Sequence, residues 1–143
     1  MLMGIPSILS PELLKIMQEM GHADELVIGD GNFPAASMAQ RLVRLDGHGV
    51  PAILDAILRF FPLDTFVDAP VALMQVVKGD RTVPTIWDTY KEIVGKRAGE
   101  KVKIEFVERF AFYERAKRAY AIVATGEQAL YANVILKKGV VVE

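Results

Sequence analysis

Apolar side chains recur along this chain in two spacings, one typical of helices and one typical of buried strands. The first helix is predicted to begin after Ser10, because Ser caps a helix, Pro11 suits the first helical position and Glu12 favours the helix dipole. Apolar residues follow at helical spacing, namely Leu13, Leu14, Met17 and Met20. We expect Gly21 to end this helix as a C′ glycine.

The same patterns predict the remaining elements. Helices are predicted over 51–61, 84–97 and 109–118, with a helical turn over 35–39. Strands are predicted over 26–28, 41–45, 71–77, 102–107, 120–124 and 133–136. Because strands and helices alternate, we expect an α/β fold with a single domain over 1–143. Helices on both faces of a central mixed or mostly parallel sheet would make it a three-layer α/β/α sandwich.

The composition provides enough apolar residues for a full core and argues against nucleic acid as a partner. Apolar residues make up 52% of the 143 residues, above the share of about 45–50% usual in globular domains. This excess favours a second buried surface, most simply a subunit interface. Lys and Arg number 17 against 18 Asp and Glu, so no basic excess is available for nucleic acid.

The absence of cysteine excludes disulfides, thiolate zinc sites, iron–sulfur clusters and cysteine nucleophiles. Only His22 and His48 remain as histidines, and the glycines that flank His48 predict an exposed turn. The N-terminal residues do not resemble a signal peptide, and no apolar run reaches the roughly 18 residues of a membrane span. We therefore expect no membrane partner and a cytoplasmic location.

The first candidate for chemistry is His22 together with Asp30. An imidazole exchanges protons near pH 7, and Asp30 follows a predicted strand, where ligands of α/β sheets bind. Taken alone, His22 also fits a cation at a helix C-terminus, and Asp30 fits an Asx turn. Eight extended steps would separate the two residues by about 26 Å. One shared site would need a sharp chain reversal or a residue from another subunit.

Two further candidates lie near the C-terminus. Arg109 stands at a predicted strand-to-helix junction, where its guanidinium suits sugar hydroxyls or an oxyanion, although a surface arginine fits equally. Tyr131 and Asn133 lie two apart and would point the same way if extended, which places a phenol beside an amide. That pair suits hydroxyl recognition, and taken alone it also fits a packed strand edge beside a turn.

Several segments together resemble one family. They are SPELLK at 10–15, EMGHADE at 19–25, FPA at 33–35, RFAFYERA at 109–116, TGE at 125–127 and YANVILKKGV at 131–140. They closely resemble the L-fucose mutarotase branch of the family that also contains D-ribose pyranase, in the same order and at matching spacing over nearly the whole chain.

The resemblance implies an activity and a site. Such proteins interconvert ring forms of free reducing sugars without cofactor or metal, and they assemble into rings, commonly homodecamers, with active sites between subunits. The proton-donating histidine corresponds to His22, and the sugar-binding aspartate to Asp30. Arg109 marks the fucose branch, while Tyr131 and Asn133 contact the sugar. Tyr131 is either a second proton carrier or a hydrogen-bond partner.

The sequence departs from this pattern in one loop. Asn32 and Ala36 stand where the fucose branch usually has histidines, and Asn32 can bind a hydroxyl but cannot carry a proton. The RFAF segment at 109–112 favours the fucose branch over the pyranase branch. We thus predict α/β anomer exchange of L-fucose or a close relative. The alternatives are pyranose–furanose exchange of D-ribose and non-catalytic sugar binding.

Overall fold

The structure, a computed structural model, describes residues 1–143 and contains five helices and six strands. The helices are α1 (Pro11–Glu19), α2 (Ala35–Met38), α3 (Val50–Leu58), α4 (Ile86–Ala98) and α5 (Arg109–Arg118). The strands are β1 (Glu25–Gly29), β2 (Leu42–Leu45), β3 (Val71–Met74), β4 (Ile104–Val107), β5 (Ala121–Thr125) and β6 (Val134–Lys137). No helix is both long and apolar enough to cross a membrane.

The strands form one mixed sheet in the order β2-β5-β1-β6-β3-β4. Neighbours β2, β5 and β1 run parallel, as do β3 and β4, whereas β6 is antiparallel to both β1 and β3. Because β6 runs in reverse, its amino end lies at the same sheet edge as the carboxyl ends of β1 and β3. This edge holds the site described below.

Helices cover both faces of the sheet, which confirms the predicted three-layer α/β/α sandwich. Alternate residues of β1 separate the two cores, because successive strand side chains point to opposite faces. Leu26 and Ile28 pack with apolar residues of α1, α3 and α4. Val27 packs with Phe112 and Ala116 of α5 on the other face.

Several element ends lie one or two residues from their predicted positions, and three others depart further from the prediction. Gly21 does not adopt a left-handed cap: the capping residue Met20 is extended, the Gly21 N–H donates to Asp24 Oδ2 at 2.7 Å, and the positive φ falls on Ala23 instead. The helix predicted over 51–61 ends at Leu58. The strand predicted over 71–77 ends at Met74, because the following chain leaves the sheet to pass beside the edge where Tyr131 lies.

Candidate active site

A cavity of about 260 Å³ opens at the carboxyl edge of the parallel strands. Its polar lining includes Asp30, Asn32, Asp80, Arg109, Tyr131 and Asn133. Asp30 directly follows β1, and Asn133 directly precedes the antiparallel β6. Four of the residues predicted from sequence as site residues therefore line one cavity, although positions 30 and 133 lie 103 residues apart.

Asn133 is fixed to the end of β1 through its side chain. The Asp30 N–H donates to Asn133 Oδ1 at 2.8 Å, and both residues are buried, with 6% and 5% of their surface exposed. A backbone N–H can only donate, so this bond shows which side-chain atom of Asn133 is the amide oxygen. The NH₂ group of Asn133 remains as a donor for a ligand in the cavity.

The Asp30 carboxylate is oriented by two backbone donors. Oδ1 accepts from the Asn32 N–H at 3.0 Å, which closes an Asx turn, and Oδ2 accepts from the Ala132 N–H at 3.3 Å. Burial raises the pKa of Asp30, and the backbone hydrogen bonds partly oppose this effect. Each carboxylate oxygen keeps acceptor capacity for a ligand hydroxyl.

Tyr131 is held at three points and adopts a left-handed backbone with φ of 55°. Its hydroxyl donates to Asp80 Oδ2 at 2.6 Å and accepts from the Val77 N–H at 3.3 Å, while its carbonyl accepts from Trp87 Nε1 at 2.8 Å. The hydrogen bond to Asp80 raises the pKa of Tyr131. The phenol therefore sits in the cavity as a neutral, oriented group.

Arg109 occupies the first position of α5. The preceding residue, Glu108, caps this helix by accepting from the Ala111 N–H at 3.0 Å. The Arg109 guanidinium stacks over the Phe110 ring, 4.5 Å from its centroid. Stacking leaves the N–H donors in the guanidinium plane free to bind an oxygen beside the ring.

His22 does not reach this cavity within one chain. It lies before β1, whereas Asp30 lies after it, and the five residues of that strand span about 17 Å. His22 Nε2 instead lies 3.1 Å from Oδ1 of Asp64, a buried carboxylate that also accepts from the Phe66 N–H at 3.0 Å. Nearly half of the His22 side chain, 44%, stays exposed. A role for His22 at the cavity stays a prediction that needs a second copy of the chain.

Sequence reasoning missed the two aspartates that hold the candidate site residues. Asp80 accepts from Tyr131, and Asp64 pairs with His22. The spacing of Asp80 and Thr82 indicates only an Asx turn, which is common in loops. No local pattern distinguishes Asp64 from a surface aspartate.

The cavity combines hydrogen-bond donors and acceptors with aromatic walls. The Asp30 carboxylate accepts hydrogen bonds, whereas Asn133 and Arg109 donate them. Phe33 and Tyr113 add apolar ring surface, with their centroids 5.9 Å apart. Alternating donors and acceptors beside apolar walls suit a small polyhydroxylated ring. No group of three His, Cys, Asp or Glu side chains is placed to hold a metal ion.

Comparisons with known proteins agree over almost the full chain. The model of the RbsD / FucU transport protein family matches residues 3–141. The chain is 51% identical over 140 residues to L-fucose mutarotase from Actinobacillus pleuropneumoniae serotype 5b, covering 98% of this chain and 97% of the relative. It is 50% identical over 145 residues to fucose mutarotase from Homo sapiens, covering 97% and 94%. The crystal structure of fucose mutarotase from Streptococcus pneumoniae in complex with L-fucose superposes with a TM-score of 0.94 at 52% identity, covering 99% of this chain and 100% of the other.

Proposed function

This chain belongs to the RbsD / FucU family, and on that premise we propose that it is an isomerase that interconverts the α and β anomers of free L-fucose. One observation carries the proposal. The chain brings Asp30, Arg109, Tyr131 and Asn133 into one cavity, in a fold that matches a fucose mutarotase solved with L-fucose along its whole length. Relatives named as fucose mutarotases at about half identity support the same sugar.

The reaction requires two proton transfers and no redox step. A base takes the proton of the anomeric hydroxyl while an acid protonates the ring oxygen. The bond from C1 to the ring oxygen breaks, and C1 becomes an aldehyde. Rotation about C1–C2 and closure on the other face of the carbonyl give the second anomer and return both protons. Positioned proton transfer accelerates such a step by about 10²–10⁴-fold.

The cavity side chains match this chemistry. Asp30 and the NH₂ group of Asn133 hold sugar hydroxyls, because their other atoms are fixed by backbone hydrogen bonds. Arg109 donates to an oxygen where negative charge develops as the ring opens. Holding the sugar in a reactive pose lowers the barrier further.

We assign the proton at the ring or anomeric oxygen to His22 of a second copy. Support comes from the surface around His22, where Phe66 is 76% exposed and its ring centroid lies 5.3 Å from that of the imidazole. Phe60 and Val141 are also exposed and line one cavity with Asp64, the partner of His22. A neighbouring copy would cover such apolar groups. A homodecamer as the assembly and the cytoplasm as the compartment stay predictions from the sequence.

Saturation-transfer NMR on free sugars tests this function. The chain should enhance exchange between the α and β anomers of L-fucose, measured by irradiating one anomeric proton and observing the other. D-Ribose is the matched control substrate. Faster pyranose–furanose exchange of ribose with no effect on fucose would contradict the proposal, and line broadening without exchange would indicate a binding protein.

A further inference from the structure

We propose that Asp80 is a positioning residue, which orients the Tyr131 hydroxyl so that it accepts a hydrogen bond from the bound sugar. This inference rests on the proposed function, because it concerns how the same cavity binds a fucose hydroxyl. Asp80 lies on the loop between β3 and α4 and lines the cavity beside Tyr131.

The direction of the hydrogen bond follows from counting protons. A phenol has one proton and two lone pairs. The Tyr131 proton lies toward Asp80 Oδ2 at 2.6 Å, since an ionised carboxylate only accepts. The Val77 N–H donates to the same phenol oxygen at 3.3 Å and occupies one lone pair. The capacity that remains for a ligand is one lone pair, so the sugar hydroxyl must donate.

Asp80 is itself oriented for this task. Its Oδ1 accepts from the N–H of Thr82 at 2.9 Å and from the Thr82 hydroxyl at 2.6 Å, which leaves Oδ2 for Tyr131. These hydrogen bonds, those from Thr82 first, lower the pKa of Asp80. Asp80 therefore stays ionised at neutral pH and keeps the phenol proton turned away from the sugar.

As a consequence, each polar side chain around the ligand acts either as a hydrogen-bond acceptor or as a donor. Asp30 and Tyr131 accept from sugar hydroxyls, whereas Asn133 and Arg109 donate to sugar oxygens. Without Asp80, the Tyr131 hydroxyl could rotate and present its proton to the sugar instead. A hydroxyl that must donate at this position would then face a second donor, and its hydrogen bond would be lost.

A double-mutant cycle tests whether Asp80 acts through the Tyr131 hydroxyl, and the melting temperature reports a purely structural tie between the loop and Tyr131. The variants are Asp80→Ala, Asp80→Asn, Tyr131→Phe and Asp80→Ala combined with Tyr131→Phe. Glu92→Gln, at an exposed position on α4, controls for loss of a surface carboxylate. The readouts are L-fucose affinity by NMR titration, the anomer exchange rate and the melting temperature.

Asp80→Ala should weaken L-fucose affinity about tenfold, the upper end of the usual scale for one hydrogen bond between neutral groups. Asp80→Asn should recover most of that loss when its amide oxygen accepts the phenol proton. In the Tyr131→Phe background, Asp80→Ala should change affinity less than about twofold, because the two residues act through one hydroxyl.

An equal loss from Asp80→Ala in both backgrounds would overturn the proposal, and so would parent affinity in the single variant. A parent chain that binds L-fucose without exchanging its anomers would overturn the proposed function alone. In that case the affinity cycle still decides the role of Asp80.

Discussion

Gly139 offers a test of how the fold holds His22 in place. A Cβ at this position would lie 2.6 Å from the carbonyl oxygen of Leu63 and 2.9 Å from the Cα of Asp64. That backbone cannot easily move away, because the Gly139 N–H donates to Pro62 and the Asp64 N–H donates to Lys137. Overpacking of this kind costs about 1–3 kcal/mol, so Gly139→Ala should lower the melting temperature by about 3–10 °C.

The same substitution should reduce activity through Asp64. Displacing this backbone moves the carboxylate that lies 3.1 Å from His22 Nε2, and we expect fucose anomer exchange to fall about tenfold. Thermal unfolding followed by circular dichroism gives the melting temperature. Saturation-transfer NMR, run below the melting temperatures of both proteins, gives the exchange rate. Gly47→Ala is the matched control, since a Cβ there has no neighbour within 4 Å. Parent stability in Gly139→Ala would refute the packing argument, and lowered stability with parent exchange would refute the link to His22.

Two further predictions concern the imidazole and its partner. His22→Ala should slow anomer exchange by about 10²–10⁴-fold with L-fucose binding largely retained, whereas His48→Ala, in an exposed turn, should exchange at the parent rate. An equal effect from both variants in the NMR assay would remove His22 from the mechanism. Hydrogen bonds from the Phe66 N–H and from His22 hold the pKa of Asp64 below its usual 3.8, so the stability from this carboxylate is present above that value and lost as the pH falls. The melting-temperature advantage of the parent over Asp64→Asn should therefore shrink as the pH falls below about 4, and an advantage that grows over that range would show the sign to be wrong.

Local patterns predicted the elements because each element satisfies its own burial and capping needs. Ser10 caps α1 as expected, with its hydroxyl accepting from the Leu13 N–H at 3.2 Å. The apolar residues 26–28 form the buried centre of β1. The antiparallel placement of β6 between β1 and β3 could not be predicted in this way, since no residue of β6 specifies its partner strands. That placement is what brings Asn133 to Asp30.

The candidate site was predictable only where a residue type itself suggests chemistry. Asp30, Arg109, Tyr131 and Asn133 were singled out by the chemistry of their side chains and by family resemblance, and the structure brings all four together. The role of Asp80 depends on a loop that folds back over 51 residues of sequence to reach Tyr131. A contact over such a sequence distance cannot be predicted from the spacing of neighbouring residues.

Complementation between two inactive variants tests most directly whether the exchange site is shared between copies. His22→Ala keeps an intact cavity, and Asp30→Asn keeps an intact His22. Co-expressed in equal amounts, they form mixed assemblies in which about a quarter of the sites pair an intact cavity with an intact histidine. Anomer exchange of L-fucose should then recover to about a quarter of the parent rate. Exchange no faster than the sum of the two separate variants would contradict a site completed by His22 of a neighbouring copy.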